Sequence, residues 1–163
     1  MQPHHAYPVP CGKSRGPQYA PMDHRRYPDA YIREILSSVR NIAVVGASPD
    51  PARPSHDVMR YLQAQGYRCL PVNPEGGESI LGERCHATLA EITEPIEMVD
   101  IFRRSEEVGP VVDEAIAIGV KVVWTQLGVR DDAAAARAEA AGLKVVMNRC
   151  PKIELMRLGL ARV

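Results

Sequence analysis

The chain has 163 residues, of which 45% are hydrophobic, and this is enough apolar material for one core of ordinary size. Lysine and arginine number 20 against 20 aspartate and glutamate, and only 5% of residues are aromatic. A neutral chain with few stacking side chains disfavours a nucleic-acid partner. The apolar runs are far shorter than the roughly 20 residues of a membrane span, and the first residues do not resemble a secretory signal. We therefore expect one soluble, cytoplasmic domain with no membrane partner.

Four cysteines stand at positions 11, 69, 85 and 150, with no Cys-x-x-Cys spacing. This number and spacing disfavour a disulfide scaffold. The histidines near the start lie in an irregular segment that cannot pre-arrange ligands. We expect reduced thiols and no metal site.

Residues 1–28 hold six of the 14 prolines and show no helical or strand period. This composition predicts an extended or disordered arm over residues 1–28, followed by a single domain over residues 29–163. A solvated tail is the favoured interpretation. An arm that binds a partner or covers an oligomer interface is the alternative.

Residues 41–65 predict a strand–loop–helix unit. The segment 41–46 is rich in β-branched residues and ends on Gly46, which indicates a buried strand followed at once by a turn. The next loop is rich in proline and serine, and apolar residues at 58, 59, 61, 62 and 64 suit a helix. Such a unit at the start of an open α/β sheet places backbone N–H groups and a helix N-terminus where a phosphate can bind.

Strands and helices alternate along the rest of the chain. An amphipathic helix over 29–40 precedes the first strand, and further strands are predicted at 67–72, 98–102, 120–125 and 143–147. Helices are predicted to begin at Ser105, at residue 133 and after Pro151. This alternation implies right-handed crossovers and a parallel sheet covered on both faces. We therefore predict an α/β, Rossmann-like three-layer fold with a five-stranded parallel sheet in the order 3-2-1-4-5.

Cationic residues gather at the C-terminal ends of the predicted strands, which is where such folds bind ligands. Any one of them can be an ordinary solvated residue, but several at one sheet edge favour a ligand that carries phosphates. The six are Arg53, Arg103, Arg104, Arg130, Arg149 and Lys152.

The usual phosphate-binding and catalytic motifs are missing from the sequence. The first loop lacks Gly-x-Gly-x-x-Gly, and the second strand ends in Val72, Asn73 and Pro74 rather than in the carboxylate that binds the ribose of NAD. There is no Gly-x-x-x-x-Gly-Lys-Ser/Thr loop and no hydrolase nucleophile elbow. NAD is therefore disfavoured, and no catalytic residue is assigned.

Five motifs carry a resemblance to a known family. They are Gly-Ala-Ser-Pro-Asp-Pro-Ala-Arg-Pro-Ser-His at 46–56, Pro-Val-Asn-Pro at 71–74, Val-Asp-Ile-Phe-Arg-Arg at 99–104, Trp-Thr-Gln-Leu-Gly at 124–128 and Asn-Arg-Cys-Pro-Lys-Ile-Glu at 148–154. In this order they closely resemble the small stand-alone CoA-binding proteins. Those are similar in turn to the N-terminal domain of the succinyl-CoA synthetase α subunit. The resemblance covers about residues 30–160.

The resemblance implies that coenzyme A or an acyl-CoA binds across the C-terminal edge of the sheet. CoA carries a diphosphate and a 3′-phosphate, which agrees with the cations at that edge. The implied contacts are Gly46, Ala47, Ser48, Pro49, Asp50, Arg53 and Ser55 around the phosphates, Asn73 and Pro74 beside the adenosine, Phe102, Arg103 and Arg104 in a third segment, and Thr125, Gln126, Leu127 and Gly128 in a fourth.

Two classes of function stay open. The favoured class is a CoA-binding module without catalysis, because the sequence has no region that matches the part of the ligase carrying its phosphorylated histidine. The alternative is an enzyme, or a subunit of one, that acts on a CoA thioester or another nucleotide ligand. His56 and His86 are the histidines of the predicted domain, and a lone loop histidine is more often a surface residue than a general base. A protein partner or a homo-oligomer is left open.

Cys150 carries one further hypothesis. It lies between Arg149 and Lys152 at the predicted start of the last helix, a position that can stabilise a thiolate. Such a thiol could form a mixed disulfide with bound CoA under oxidising conditions. A buried, inert cysteine is the favoured alternative.

Overall fold

The computed structural model describes residues 22–162, so residues 1–21 of the predicted arm 1–28 lie outside the described residues. The helices are Asp29–Ser38 (α1), Pro54–Ala64 (α2), Val108–Ile118 (α3), Asp132–Ala140 (α4) and Pro151–Arg157 (α5). The strands are Asn41–Val45 (β1), Arg68–Val72 (β2), Ser79–Ile80 (β3), Glu83–Arg84 (β4), Met98–Ile101 (β5), Val122–Thr125 (β6) and Lys144–Val146 (β7). Within residues 22–162, no helix is long and apolar enough to cross a membrane.

The main sheet has five parallel strands in the order β2-β1-β5-β6-β7, and β3 and β4 form a separate short hairpin. The predicted α/β Rossmann-like fold with a five-stranded parallel sheet is therefore confirmed. The predicted order 3-2-1-4-5 is wrong, because the third strand of the sheet, β5, lies between β1 and β6 rather than outside β2.

The order follows from the chemistry of β2. Pro71 has no N–H to give to a second neighbour, which suits an edge strand. The outer edge of β2 is covered locally instead, since the His86 N–H donates to the Pro71 oxygen (3.0 Å) and the Asn73 N–H donates to the His86 oxygen (2.8 Å). The chain then crosses over β1, and β5 pairs on its far side.

Helices cover both faces of the sheet and enclose two apolar layers. One layer contains α1, α2 and α5 with side chains such as Ile35, Leu62 and Trp124. The other contains α3 and α4 with side chains such as Val112 and Ala138. Alternate residues of each strand point to opposite layers, as the pleat requires.

The segment 22–28 packs against the far edge of the sheet, although the sequence assigned it to the arm. Tyr27 is only 9% exposed, and its hydroxyl accepts a hydrogen bond from the Met147 N–H (2.8 Å). Tyr31 of α1 stacks on Tyr27, and its hydroxyl both accepts from the Val145 N–H (3.0 Å) and donates to the Val145 oxygen (2.9 Å). Two tyrosine hydroxyls therefore occupy backbone groups of the edge strand β7 and of Met147 directly after it, which would otherwise be free to pair with another chain.

Replacing Tyr31 with Phe should lower the free energy of unfolding by about 1–3 kcal/mol, because the N–H and oxygen of Val145 both lose their partner. Urea denaturation measures this change. Tyr61→Phe is the matched control, since the Tyr61 hydroxyl makes no hydrogen bond within the described chain. Equal stability of the two variants would contradict the role given to Tyr31.

Candidate functional site

The ends of β1 and β5 approach each other closely at the point where the sheet order reverses. Gly46 follows β1 with a φ of 85°, and its N–H donates to the Val72 oxygen (2.8 Å). A Cβ at this position would lie 2.2 Å from the Phe102 oxygen, so only glycine fits. In open α/β sheets the crevice at such a reversal is the usual ligand site.

The loop after β1 is shaped by its own side chains. The Ser48 hydroxyl accepts from the Asp50 N–H (3.1 Å), and Asp50 accepts from the Ala52 N–H through its carboxylate (2.9 Å) and from the Arg53 N–H through its main-chain oxygen (3.0 Å). Pro54 then occupies the first turn of α2, which begins without a side-chain cap. These turns place the exposed Arg53 side chain next to the N-terminus of α2.

Asn73 joins three of the predicted segments. Its amide Nδ2 donates to the Ala47 oxygen after β1 (2.8 Å), and its Oδ1 accepts from Arg103 Nη2 after β5 (3.5 Å). The same oxygen accepts from the Glu75 N–H (3.0 Å), which folds the loop after β2. The structure thus brings together the segments at 46–53, 73–74 and 102–103, as the sequence analysis expected of one edge.

The fourth segment, 125–128, is held by a residue that the sequence analysis did not single out. Asn148, with a φ of 57°, accepts from the Gly128 N–H through Oδ1 (2.7 Å), and its own N–H donates to the Thr125 hydroxyl (3.3 Å). Leu127 lies at the tip of this loop and is 57% exposed. Asparagine tolerates the left-handed region better than most residues, and its position directly after the fifth strand was the available signal.

The six cations at this edge have different surroundings. Lys152 pairs with Asp57 (2.7 Å), and this hydrogen bond is the main cause that holds the pKa of Asp57 below its usual value. Arg130 donates to the His24 oxygen (2.9 Å), and Arg149 donates to the Arg25 oxygen (3.3 Å). These three cations are engaged in the fold.

The remaining three cations lie on the β1–β5 side of the edge. Arg103 is half-buried and tethered to Asn73, whereas Arg104 is exposed and lies 3.5 Å from Glu107. The Arg53 side chain is exposed and makes no hydrogen bond or ion pair to any part of residues 22–162. Arg53 and Arg103 are therefore the cations best placed to meet a ligand.

Asp100 is a second residue that the sequence analysis did not single out. It lies in the middle strand β5, is fully buried, and accepts one hydrogen bond, from Gln126 Nε2 to its Oδ1 (2.8 Å). Burial raises its pKa to about 7, against the lowering effect of the Gln126 bond. A carboxylate within an otherwise apolar strand was the signal in the sequence.

Cys150 is buried, with 6% of its surface exposed. Burial raises the pKa of its thiol, and this outweighs the lowering effect of the Ile153 and Lys152 N–H groups. The structure therefore favours the inert cysteine over the reactive one.

A cavity of about 240 Å³ lies at the opposite edge of the sheet, between the ends of α1 and α2 and the segment after α5. It is lined by Leu36, Tyr67, Leu155 and Leu160 among others, and by none of the residues assigned to the site. The candidate site is instead the crevice between the strand-end loops. Its residue chemistry and its place in the sheet indicate a ligand site there, although the cavity lies elsewhere.

Comparisons with known proteins identify the family of this chain. Residues 40–156 match the model of the family described as CoA binding domain. The chain belongs to this family. The matched range includes all four segments of the candidate site and excludes residues 22–28.

Individual relatives agree with this assignment. The chain is 40% identical over 124 residues to the uncharacterized protein YneT of Bacillus subtilis, covering 76% of this chain and 91% of that protein. A solved structure, a hypothetical protein from Pyrococcus horikoshii OT3, is 42% identical with a TM-score of 0.78, covering 81% and 92% of the two chains.

A larger relative is the acetate–CoA ligase (ADP-forming) I subunit alpha of Pyrococcus furiosus, with 33% identity over 95 residues. The match covers 55% of this chain but only 21% of that subunit. The similarity thus concerns one part of the ligase subunit.

The buried carboxyl of Asp100 should make the free energy of unfolding depend on pH. Its folded pKa of about 7 exceeds the ordinary 3.8, so the unfolded state releases this proton first as pH rises. The contribution of Asp100 to stability is therefore lost progressively between about pH 4 and pH 7 and stays constant above that range.

Asp100→Asn removes this titration, so the stability of the variant relative to the parent should rise across the same range, by up to about 4 kcal/mol. Urea unfolding of both proteins at several pH values from about 4.5 to about 8.5 measures the difference. The variant also buries an amide, but the cost of this is the same at every pH and does not change how the difference in stability varies with pH. Two parallel stability curves would contradict the assigned titration.

Proposed function

We propose that the protein binds coenzyme A or an acyl-CoA at the C-terminal edge of its sheet, without catalysis of its own. The observation that carries this proposal is the contact of Asn73 with both Ala47 and Arg103, which joins the loops after β1, β2 and β5 into one crevice. Membership of the CoA binding domain family supports the choice of ligand.

The surroundings of the crevice suit the phosphates of CoA. Arg103 is held in place before any ligand arrives, so little side-chain freedom is lost when it binds a phosphate oxygen. Arg53 adds a guanidinium that has no partner in residues 22–162. A guanidinium binds phosphate through two parallel hydrogen bonds, which are stronger than bonds between neutral groups.

The adenosine part has a separate set of neighbours in this proposal. Asn73 and Pro74 follow β2, and the half-buried Phe102 follows β5 at the same edge of the sheet. Ser48 and Asp50 shape the first loop through their own hydrogen bonds, so we assign them a role in holding backbone N–H groups toward the diphosphate. Leu127 offers an exposed apolar side chain to the less polar end of the ligand.

Calorimetry with CoA, dephospho-CoA and NAD tests the choice of ligand. We expect CoA to bind in the micromolar range, about −8 kcal/mol, with NAD weaker because β2 ends in Val72, Asn73 and Pro74 rather than in a carboxylate. Absence of CoA binding would overturn the proposed function, and NAD binding as tight as CoA would overturn the choice of ligand. A screen for thioester turnover on the same protein distinguishes a binding module from the enzyme alternative.

Arg53→Ala and Arg103→Ala should each weaken CoA binding by about 1.5–3 kcal/mol while the fold stays intact. Arg40→Ala is the matched control for Arg53. Arg40 is also exposed, and its side chain has no partner among residues 22–162, but it directly precedes β1 and so lies at the opposite end of that strand. Unchanged affinity in both site variants, or an equal loss in the control, would show that the phosphates bind elsewhere.

A further inference from the structure

One buried carboxyl oxygen stands out in the described part of the chain. Asp100 Oδ2 is the buried side-chain oxygen or nitrogen that has no hydrogen-bond partner within residues 22–162. Natural structures leave few such atoms, because each costs about 1–3 kcal/mol, and those that persist often serve a function. Asp100 pairs with Val44 of β1 and Trp124 of β6, at the centre of the sheet.

Asp100 is linked directly to the ligand edge through Gln126. Gln126 is 8% exposed, its Nε2 donates to Asp100, and its main-chain N–H donates to the Ile101 oxygen (3.2 Å). The main-chain oxygen of Gln126 in turn accepts a hydrogen bond from the Val129 N–H (3.0 Å). This bond closes the turn that carries the exposed Leu127. The buried carboxyl thus anchors the base of the loop after β6, at the C-terminal edge of the sheet.

No cation in the described chain neutralises Asp100. Its face of the sheet is the one covered by α1, α2 and α5, since Met98, Val44 and Trp124 all belong to that layer. Burial, and to a smaller extent the negative charge of Asp100, raises the pKa of the thiols of Cys69 and Cys150. The charged groups of the covering helices have partners elsewhere: Asp29 and Glu154 with Arg157, Glu34 with Lys144, Asp57 with Lys152 and Arg60, and Arg33 with the Leu158 oxygen. The other titratable group of α2 near its N-terminus is His56.

We propose that Asp100 positions the 125–128 loop through Gln126, and that its carboxylate takes up a proton when CoA or another polyphosphate ligand binds at this edge. This inference rests on the proposed function. The proton comes from solvent and sits on Oδ2, the oxygen that Gln126 does not contact. Uptake follows because a bound polyanion disfavours a second negative charge nearby, and by linkage the protonated protein then binds the ligand more tightly.

Titration calorimetry in two buffers of different ionisation enthalpy counts the protons exchanged on binding. Dephospho-CoA is the probe, because it lacks the 3′-phosphate, which itself titrates near pH 6. At pH 7 we expect the parent protein to take up a fraction of a proton, about half at most. Its Kd should rise by about threefold to tenfold between pH 6 and pH 8.5, as the linkage requires.

Asp100→Asn keeps the acceptor for Gln126 but cannot titrate, so it should bind without proton uptake and with a nearly constant Kd. Asp113→Asn is the matched control, since Asp113 is an exposed carboxylate on α3, in the opposite layer, and should behave as the parent. Gln126→Ala removes the anchor but keeps the carboxyl, so binding should weaken while proton uptake persists. Parent-like affinity of Gln126→Ala would overturn the positioning role.

The outcomes separate the inference from the proposed function. Binding of dephospho-CoA by the parent without proton exchange would overturn the inference and leave the proposed function standing. Proton uptake that persists in Asp100→Asn would overturn it too, because another group, such as His56, would then be responsible. If the parent bound neither CoA nor dephospho-CoA at any pH, the proposed function itself would be overturned, and the inference with it. The proton count of the parent needs no variant to fold.

Discussion

The close approach of Gly46 to the Phe102 oxygen is the constraint on which the C-terminal edge of the sheet depends. It exists because β1 pairs with β2 on one side and with β5 on the other, so that the chain must pass over β1 between the two. The loops after β1 and β5 then leave the sheet side by side, and a side chain at position 46 would collide with the backbone of the next loop. Glycine at this position is therefore a requirement of the topology, and the crevice follows from the same topology.

The cations at this edge differ in their contacts, although the whole chain is neutral. On the β6–β7 side, Arg130 and Arg149 donate to main-chain oxygens of residues 24 and 25, and Arg149 also lies over the Tyr27 ring. These contacts fix the segment 22–28 against β7. On the β1–β5 side, Arg103 is held by an uncharged amide and Arg53 is exposed. An amide positions a guanidinium without neutralising it, so the positive charge of Arg103 stays available to an anion.

Much of the fold could be predicted from the sequence, because the information is local. β-branched runs, proline and glycine stops, and the helical period of α2 each lie within about a dozen residues of one another. The strand order could not be read from such patterns, since it depends on which strand tolerates an open edge. Pro71 was the one local signal for this, and it marks β2 as an edge strand.

The candidate site shows the same limit. Arg53, Asn73 and Arg103 could be selected because each follows a strand, and parallel strands end at one edge. Asn148 and Asp100 act over separations of 20 and 26 residues, through Gly128 and Gln126 respectively. The contacts of Tyr27 and Tyr31 at the edge of the sheet span more than 100 residues. The proline-rich composition of residues 1–28 gave no indication that Tyr27 packs on the domain. Such pairings depend on the finished topology, so no window of sequence contains them.

The stability of this domain and the chemistry of its edge are connected through β5. The same strand supplies the backbone that restricts Gly46, the loop that carries Arg103, and the buried carboxyl of Asp100. An apolar residue at position 100 would pack between Val44 and Trp124 at no desolvation cost, whereas the carboxylate costs stability as it ionises. Among residues 22–162, the hydrogen bond that the Asp100 carboxyl makes is to Gln126 at the edge. The cost of burying this group is therefore best understood as the cost of fixing the loop beside the crevice.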